Sequence, residues 1–329
     1  MAKRAEGVPK TQAIELSKSI LLKDLAKVDN DLSSQKRVKA MEDDFRIRIG
    51  THLKSLASAS KEFRKYNTNP FVLLFYANQK GLCRVKEIEE ALIPAKVFSS
   101  METSAGKMVE RVVLSHYGWK CVDSAMHTTD SVIDASKIDG DTLYLVTLKS
   151  GPQCINDSMT GSISSELVKY AVDWAKASSV QKVDFTVGVL YGTQKKSNKK
   201  DWHILRRACL EVDALGSRAK VIEYPNDKWQ CHFRIGKVNV TARVCIGKSL
   251  WDLIGGRFDA YTELLCAAIR ASIVVTNKEP QPIGFEIPDL PQIISMTSTQ
   301  RKLNFTLLQK SQIEWFLLMS AHFSECLVD

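Results

Sequence analysis

Apolar residues at Ile14, Leu21, Leu25 and Val28, and then at Val38, Met41, Phe45, Ile49, Leu53 and Leu56, recur at three- and four-residue steps. This spacing predicts two amphipathic helices within residues 12–66. Between them, Asp29-Asn30-Asp31 followed by Ser33-Ser34 supplies a break and a capping start for the second helix. Asn69-Pro70 opens a second region with the run Phe71 to Tyr76, then a polar helix near 86–92. Beyond Ser104-Ala105-Gly106-Lys107, the spacing of Met108, Val109, Val112 and Val113 predicts a helix that carries Glu110.

The pattern then changes period. Ser131–Ile133, Thr142–Leu148 and Lys182–Tyr191 read as strands, and Val183, Phe185, Val187 and Val189 alternate in the last of them. Ile163, Leu167, Tyr170 and Trp174 mark the apolar face of a helix between the second and third strands. Short strands are expected within 219–250 and a helix over Trp251–Ser272. A proline-marked connection from Glu279 to Pro282 leads to a helical piece near 305–325. Strands interleaved with helices imply an α/β core, here a central mixed sheet flanked by helices. The expected division is an N-terminal helical arm at 1–68, a core at 69–278 and a helical extension at 279–329.

Composition narrows the class. The 329 residues are 44% apolar and 25% charged, which excludes disorder as an account of the whole chain. No apolar run approaches the ~18 residues needed to span a bilayer. Ile20-Leu21-Leu22 is closed off by Lys23, so neither a membrane span nor a secretory signal is expected, and the cytoplasm is the expected location. The eight cysteines show no C-x-x-C pair or zinc-finger spacing and read as reduced, mostly buried thiols. A balance of 46 basic to 37 acidic residues, net +9, favours a polyanionic partner without naming one.

The stretch from Thr129 to Gly151 holds the chemistry. Asp139-Gly140 between two extended segments is a hairpin signal. Symmetric pairing about it predicts Ile138 opposite Asp141 and Asp130 opposite Lys149, with Thr147 on the same face. A carboxylate there can hold a hard divalent cation with phosphate oxygens, while the lysine ammonium lies near an attacking water. A surface ion pair of the same geometry is worth only about 0.2–1 kcal/mol.

Asp130, followed by a strand ending Thr147-Leu148-Lys149, resembles the signature of the PD-(D/E)XK nuclease superfamily. Further motifs stand in an order similar to that in type II restriction endonucleases cutting interrupted GGNCC or CCNGG palindromes. They are Asn69-Pro70-Phe71, Gly106-Lys107-x-x-Glu110, Asp130-Ser131-Val132-Ile133, Thr147 to Gly151, Val187 to Gly192, Ile204-Leu205-Arg206 and Gly247-Lys248-x-x-Trp251. The resemblance covers roughly 69–255. It implies a restriction-endonuclease-like fold and Mg²⁺-dependent hydrolysis of duplex DNA to 5′-phosphate ends, with two Mg²⁺ per site. It also implies a homodimer matched to a palindrome and a methyltransferase protecting the host DNA.

Carried over by position, Asp130 would be the central metal ligand, Lys149 would orient the water, and the Leu148 carbonyl would complete the metal shell. Thr147 departs from the pattern, because a threonine cannot supply the charge of the expected carboxylate. Glu110 on the preceding helix is the first candidate for the missing acid. Glu166 on the following helix is the second, with Asp157 and Asp141 behind them.

Lys195, Lys196, Lys199 and Lys200, with Arg206 and Arg207 beyond, form the expected DNA-binding segment, and Asn156 could reach a base edge. Gly247-Lys248-Ser249 lacks a full glycine cradle and is assigned no nucleotide. His127 and the tryptophans Trp174, Trp202 and Trp251 are expected to be structural. Two rival readings remain: a nonspecific or repair nuclease of the same fold, and a DNA-binding regulator without catalysis, for which Thr147 is the argument.

Overall fold

The computed structural model describes residues 18–59, 70–79, 81, 85–122, 132–224, 228–273 and 305–324. Four helices lead, α1 (Lys18–Asn30), α2 (Leu32–Ala59), α3 (Pro70–Gln79) and α4 (Val85–His116). They are followed by β1 (Lys120–Cys121), β2 (Ala135–Asp139), β3 (Thr142–Lys149), α5 (Asp157–Ala177), β4 (Lys182–Val189) and α6 (Lys200–Ala214). Then come β5 (Lys220–Tyr224), β6 (Lys228–Ile235), β7 (Val238–Ile246), α7 (Lys248–Gly255), α8 (Ala260–Ser272) and α9 (Lys310–Ser324). The break between α1 and α2 forms as the sequence predicts, since the Asp31 carboxylate accepts the amide hydrogens of Ser33 and Ser34 at 3.0 and 3.2 Å.

The seven strands form one mixed sheet in the order β1-β2-β3-β4-β7-β6-β5. β3, β4 and β7 run parallel at its centre, and antiparallel hairpins close both sides. Alternation along β4 sends Val183, Phe185, Val187 and Val189 to one face, against α5 and α6. There Trp174 stacks on Phe185 with ring centroids 5.9 Å apart. Trp202 and Trp251 are buried as well, so the expectation that these three tryptophans serve the core is met. The opposite face, through Ala135, Val146, Leu148 and Cys245, packs on α4, α7 and α8.

The first two helices do not project from this body. Leu21, Leu25, Val38, Met41 and Phe45 share a core with Val112, Val113 and Trp251 and with Leu307 and Phe316 near the other end of the chain. Charged pairs fix the contact. Glu263 on α8, fully buried, accepts from Arg37 Nε and Nη2 at 2.9 and 2.8 Å and from the Tyr117 hydroxyl at 2.5 Å. Asp29 accepts the amide hydrogens of Thr306 and Leu307 at 2.9 and 2.7 Å.

Three details differ from the sequence reading. The strand expected at Ser131–Ile133 instead begins at Ala135. The helix expected over Trp251–Ser272 is two helices, because Gly256 at φ 64° ends α7 in the left-handed region. The two helical stretches around residues 86 and 108 are one helix, α4. Six cysteines are free among the described residues, four of them buried.

Removing a charge from a buried pair leaves its partner uncompensated. Glu263→Gln should therefore lower unfolding free energy by about 3 kcal/mol, read as an earlier urea midpoint. An unchanged midpoint would show that Arg37 and Tyr117 find water instead.

Candidate active site

The β2–β3 hairpin decides which residues meet. Asp139 pairs with Thr142, Ile138 with Leu143 and Ala135 with Val146. The turn residues are thus Gly140-Asp141, not Asp139-Gly140. Gly140 has φ 58° and Asp141 does not share the positive φ, the pattern of a II′ turn with glycine first. The predicted pairing of Ile138 with Asp141 is therefore corrected, since Ile138 pairs with Leu143. Asp130, like His127, lies outside the described residues.

Register shifts again at the open end. Ala135 is the pairing partner of Val146, yet the Asp134 amide also donates to the Val146 carbonyl at 2.8 Å. Two residues of one strand thus stand opposite one of the other, which is a β-bulge, a device that re-aims a side chain. The side chain re-aimed is Asp134, whose carboxylate accepts the Leu148 amide hydrogen at 2.5 Å in place of a ladder carbonyl. In a strand the amide and carbonyl of one residue point the same way, so the Leu148 carbonyl also faces this parted end. Sequence reading missed Asp134. The glycine-first alternative for the turn was the signal that could have found it.

A cavity of about 190 Å³ opens here, lined by Asp134, Thr147 and Lys149 from the hairpin and by Ser158, Met159 and Ser162 from α5. Glu110 on α4 lies within electrostatic reach of Asp134 and Lys149. Its carboxyl is pushed up from 4.5 to about 7, first by burial and then by the charge of Asp134, while Lys149, Lys107 and Arg111 oppose the rise. Helix α4 can approach this closely because Gly106, one turn before Glu110, packs on Ser150. A Cβ at Gly106 would sit 3.2 Å from that of Ser150.

The other predicted residues fall in several places. Thr147 lines the cavity and is buried, but as a neutral hydroxyl. Glu166 is half-buried on α5, beyond Ser162, and does not line the cavity. Asn156 caps α5, its side-chain oxygen accepting from the Met159 amide at 2.8 Å, so that oxygen is committed.

The basic segment adjoins the site through interlocked loops. Asn198 Nδ2 donates to the Ile155 carbonyl at 2.9 Å, and Gln153 Nε2 to that of Lys196 at 3.4 Å. Lys195, Arg206 and Arg207 are exposed, with Arg207 lying along α5 at Gly161. Lys199 instead donates to the Gln194 carbonyl, and Lys200 pairs with Asp157. Lys248 is buried in an ion pair with Asp252 at 2.8 Å and serves the fold.

Among the described residues no group of three or more His, Cys, Asp or Glu is gathered to hold a metal. The oxygens there are the carboxylates of Asp134 and nearby Glu110, the Leu148 carbonyl, and the hydroxyls of Thr147, Ser158 and Ser162. Such a hard donor set fits Mg²⁺, which commonly takes one or two carboxylates and leaves its other positions to water and substrate phosphates.

Between pH 4.5 and about 7 the folded chain keeps a proton on Glu110 that the unfolded chain has released, so this group's contribution to stability falls as pH rises. In EDTA, Glu110→Gln should therefore gain in melting temperature over the parent across that window. A constant difference from pH 4.5 to 7 would show that Glu110 is not held in this environment.

A comparison with curated proteins gives no match. One family profile, "Type II restriction endonuclease EcoO109I", matches residues 36–209, just over half of the chain. The match runs from α2 through the hairpin and α5 into α6, and so includes Glu110, Asp134, Thr147 and Lys149. The mixed sheet flanked by helices is the α/β restriction-endonuclease-like fold, and the chain belongs to the type II restriction endonuclease EcoO109I family, whose activity is DNA cleavage.

Proposed function

We propose that this chain is a Mg²⁺-dependent endonuclease that hydrolyses both strands of duplex DNA at an interrupted palindrome, acting as a homodimer with 5′-phosphate products. The observation that carries the reading is the meeting of Glu110, Asp134 and Lys149 at the parted end of the β2–β3 hairpin, within the span that matches the family. Asp134 takes the role that the sequence reading gave to Asp130, and Glu110 supplies the carboxylate that Thr147 lacks. This is the PD-(D/E)XK constellation with one acid moved from the strand to a helix.

Glu110, Asp134 and the Leu148 carbonyl would hold the cation, which when bound offsets charge on the scissile phosphate and acidifies water. The Lys149 ammonium donates a hydrogen bond to the attacking water and fixes it in line with phosphorus. As the new bond joins the water oxygen to phosphorus, the water's O–H bond breaks and its proton passes to solvent. The bond from phosphorus to O3′ breaks, and O3′ takes a proton from solvent. Thr147 adds a neutral hydroxyl beside Lys149, and the basic loop at Lys195 and Lys196 offers phosphate contacts.

Digestion of a sequenced plasmid with Mg²⁺ should give discrete fragments, lost in EDTA and lost at least about a hundredfold in Lys149→Ala or Asp134→Ala. Glu110→Ala should lose activity to a similar degree, while Glu166→Ala and Asp130→Ala should cut nearly as the parent does. Full activity in Asp134→Ala with loss in Asp130→Ala would return the ligand to Asp130. A smear would make the protein a nonspecific nuclease, and tight binding without cutting a regulator, the outcome that a neutral Thr147 favours.

A further inference from the structure

Helix α4 carries a second stripe of residues beside the one that delivers Glu110. Gly106 and Glu110 face the end of β3, whereas Ser104, Lys107, Met108 and Arg111 lie about a quarter to a half turn around the helix. They form one wall of a groove of about 640 Å³, and Asp44, Ile47, Arg48, Thr51 and His52 of α2 form the other. Its lining holds Arg48, Lys107 and Arg111, with His52, against Asp44 alone among the acids. Asp44 is already engaged, 3.5 Å from Arg48 and 3.7 Å from His116. The same pair engages Arg48, so the positive charge that faces solvent along the groove is chiefly that of the exposed Lys107 and Arg111.

We infer that the α2–α4 groove is a track for the phosphodiester backbone of the substrate duplex where it runs beyond the cleavage site. Two arguments choose this occupant. The charge is complementary, since closely spaced guanidinium and ammonium groups with one engaged acid match a row of phosphates. The position is continuous with the site, because Lys107 and Arg111 flank Glu110 on one helix and act on its carboxyl. A strand whose scissile phosphate lies at Lys149 passes α4 on leaving, and a phosphate repeat carries it along the groove. Apolar Ile47 and Met108 then lie against sugars. The groove would thus add affinity that is independent of sequence. The inference rests on the nuclease reading above.

The test uses the full chain with Lys149→Ala, in Mg²⁺, so that DNA is bound without being cut. Two duplexes are compared, one ending close to the mapped cut site and one extended on both sides. Arg48→Gln and Lys107→Gln together should weaken binding of the long duplex about tenfold while changing the short one little. They should also lower the salt slope for the long duplex by about one unit per removed cation. Arg48 lies on α2 and is outside the catalytic set, so Arg48→Gln alone should still cut plasmid into the parental fragments. Equal affinity and slope in parent and double variant, with plasmid cutting intact, would overturn the track and leave the nuclease reading standing. No binding or cutting of DNA by the parent would overturn both. A changed molar mass of the double variant in light scattering would make the groove a contact between two copies of the chain and would also overturn it.

Discussion

The structure of the site depends on one hydrogen bond that replaces another. A regular hairpin would give the Leu148 amide to a carbonyl on β2, and the ladder would run on to the strand ends. Here the bulge at Asp134 removes that carbonyl, and the Asp134 carboxylate accepts the amide instead. An amide left without an acceptor would cost about 1–3 kcal/mol, so the carboxylate is held in place by the demand of the backbone. The parted strands expose the Leu148 carbonyl and open the cavity against α5. An acid fixed by a main-chain donor is already oriented before any substrate arrives, which is what transition-state stabilisation requires of a site.

The second carboxylate comes from another part of the fold. Glu110 is carried by α4, and α4 is held where it is by the helical half of the molecule. Val112, Val113 and Leu114 lie in a core completed by α1, α2, α8 and α9. Buried charge pins that half together, through Glu263 with Arg37 and through Glu42 with Arg270 at 2.7 Å. Such pairs add little net stability compared with apolar residues of the same shape, but they disfavour any arrangement that leaves one charge unpaired. They thus fix α2, on which α4 packs, against α8, and Gly106 lets α4 come close to Ser150 at the end of β3.

Local patterns were legible in the chain and long-range register was not. Helical spacing located α1, α2 and α5. Alternation located β4, and the Asp29–Ser34 cluster marked the break between the first two helices, because each of these is set by neighbours within a few residues. The helix that carries Glu110 was legible from the spacing of Met108, Val109, Val112 and Val113. Asp134 was missed because Asp139-Gly140 and Gly140-Asp141 are both good turns. Moving the turn by one residue changes every partner in the hairpin, and a bulge then shifts the register once more. Arg37 and Glu263 stand 226 residues apart, and nothing local tells either which charge it will meet.

In the proposed arrangement, moving the acid from the strand at Thr147 to the helix at Glu110 changes what the catalytic geometry depends on. A strand carboxylate would share the rigidity of Asp134 and Lys149, all three on one hairpin. A helix carboxylate instead ties the site to the packing of α4 against α2. Burial first, and then the charge of Asp134, push the Glu110 carboxyl up to about 7. A divalent cation held by the two carboxylates would offset that charge. The same helix carries Lys107 and Arg111, whose positive charges oppose the rise at Glu110, so the helix that brings the acid also brings part of its compensation.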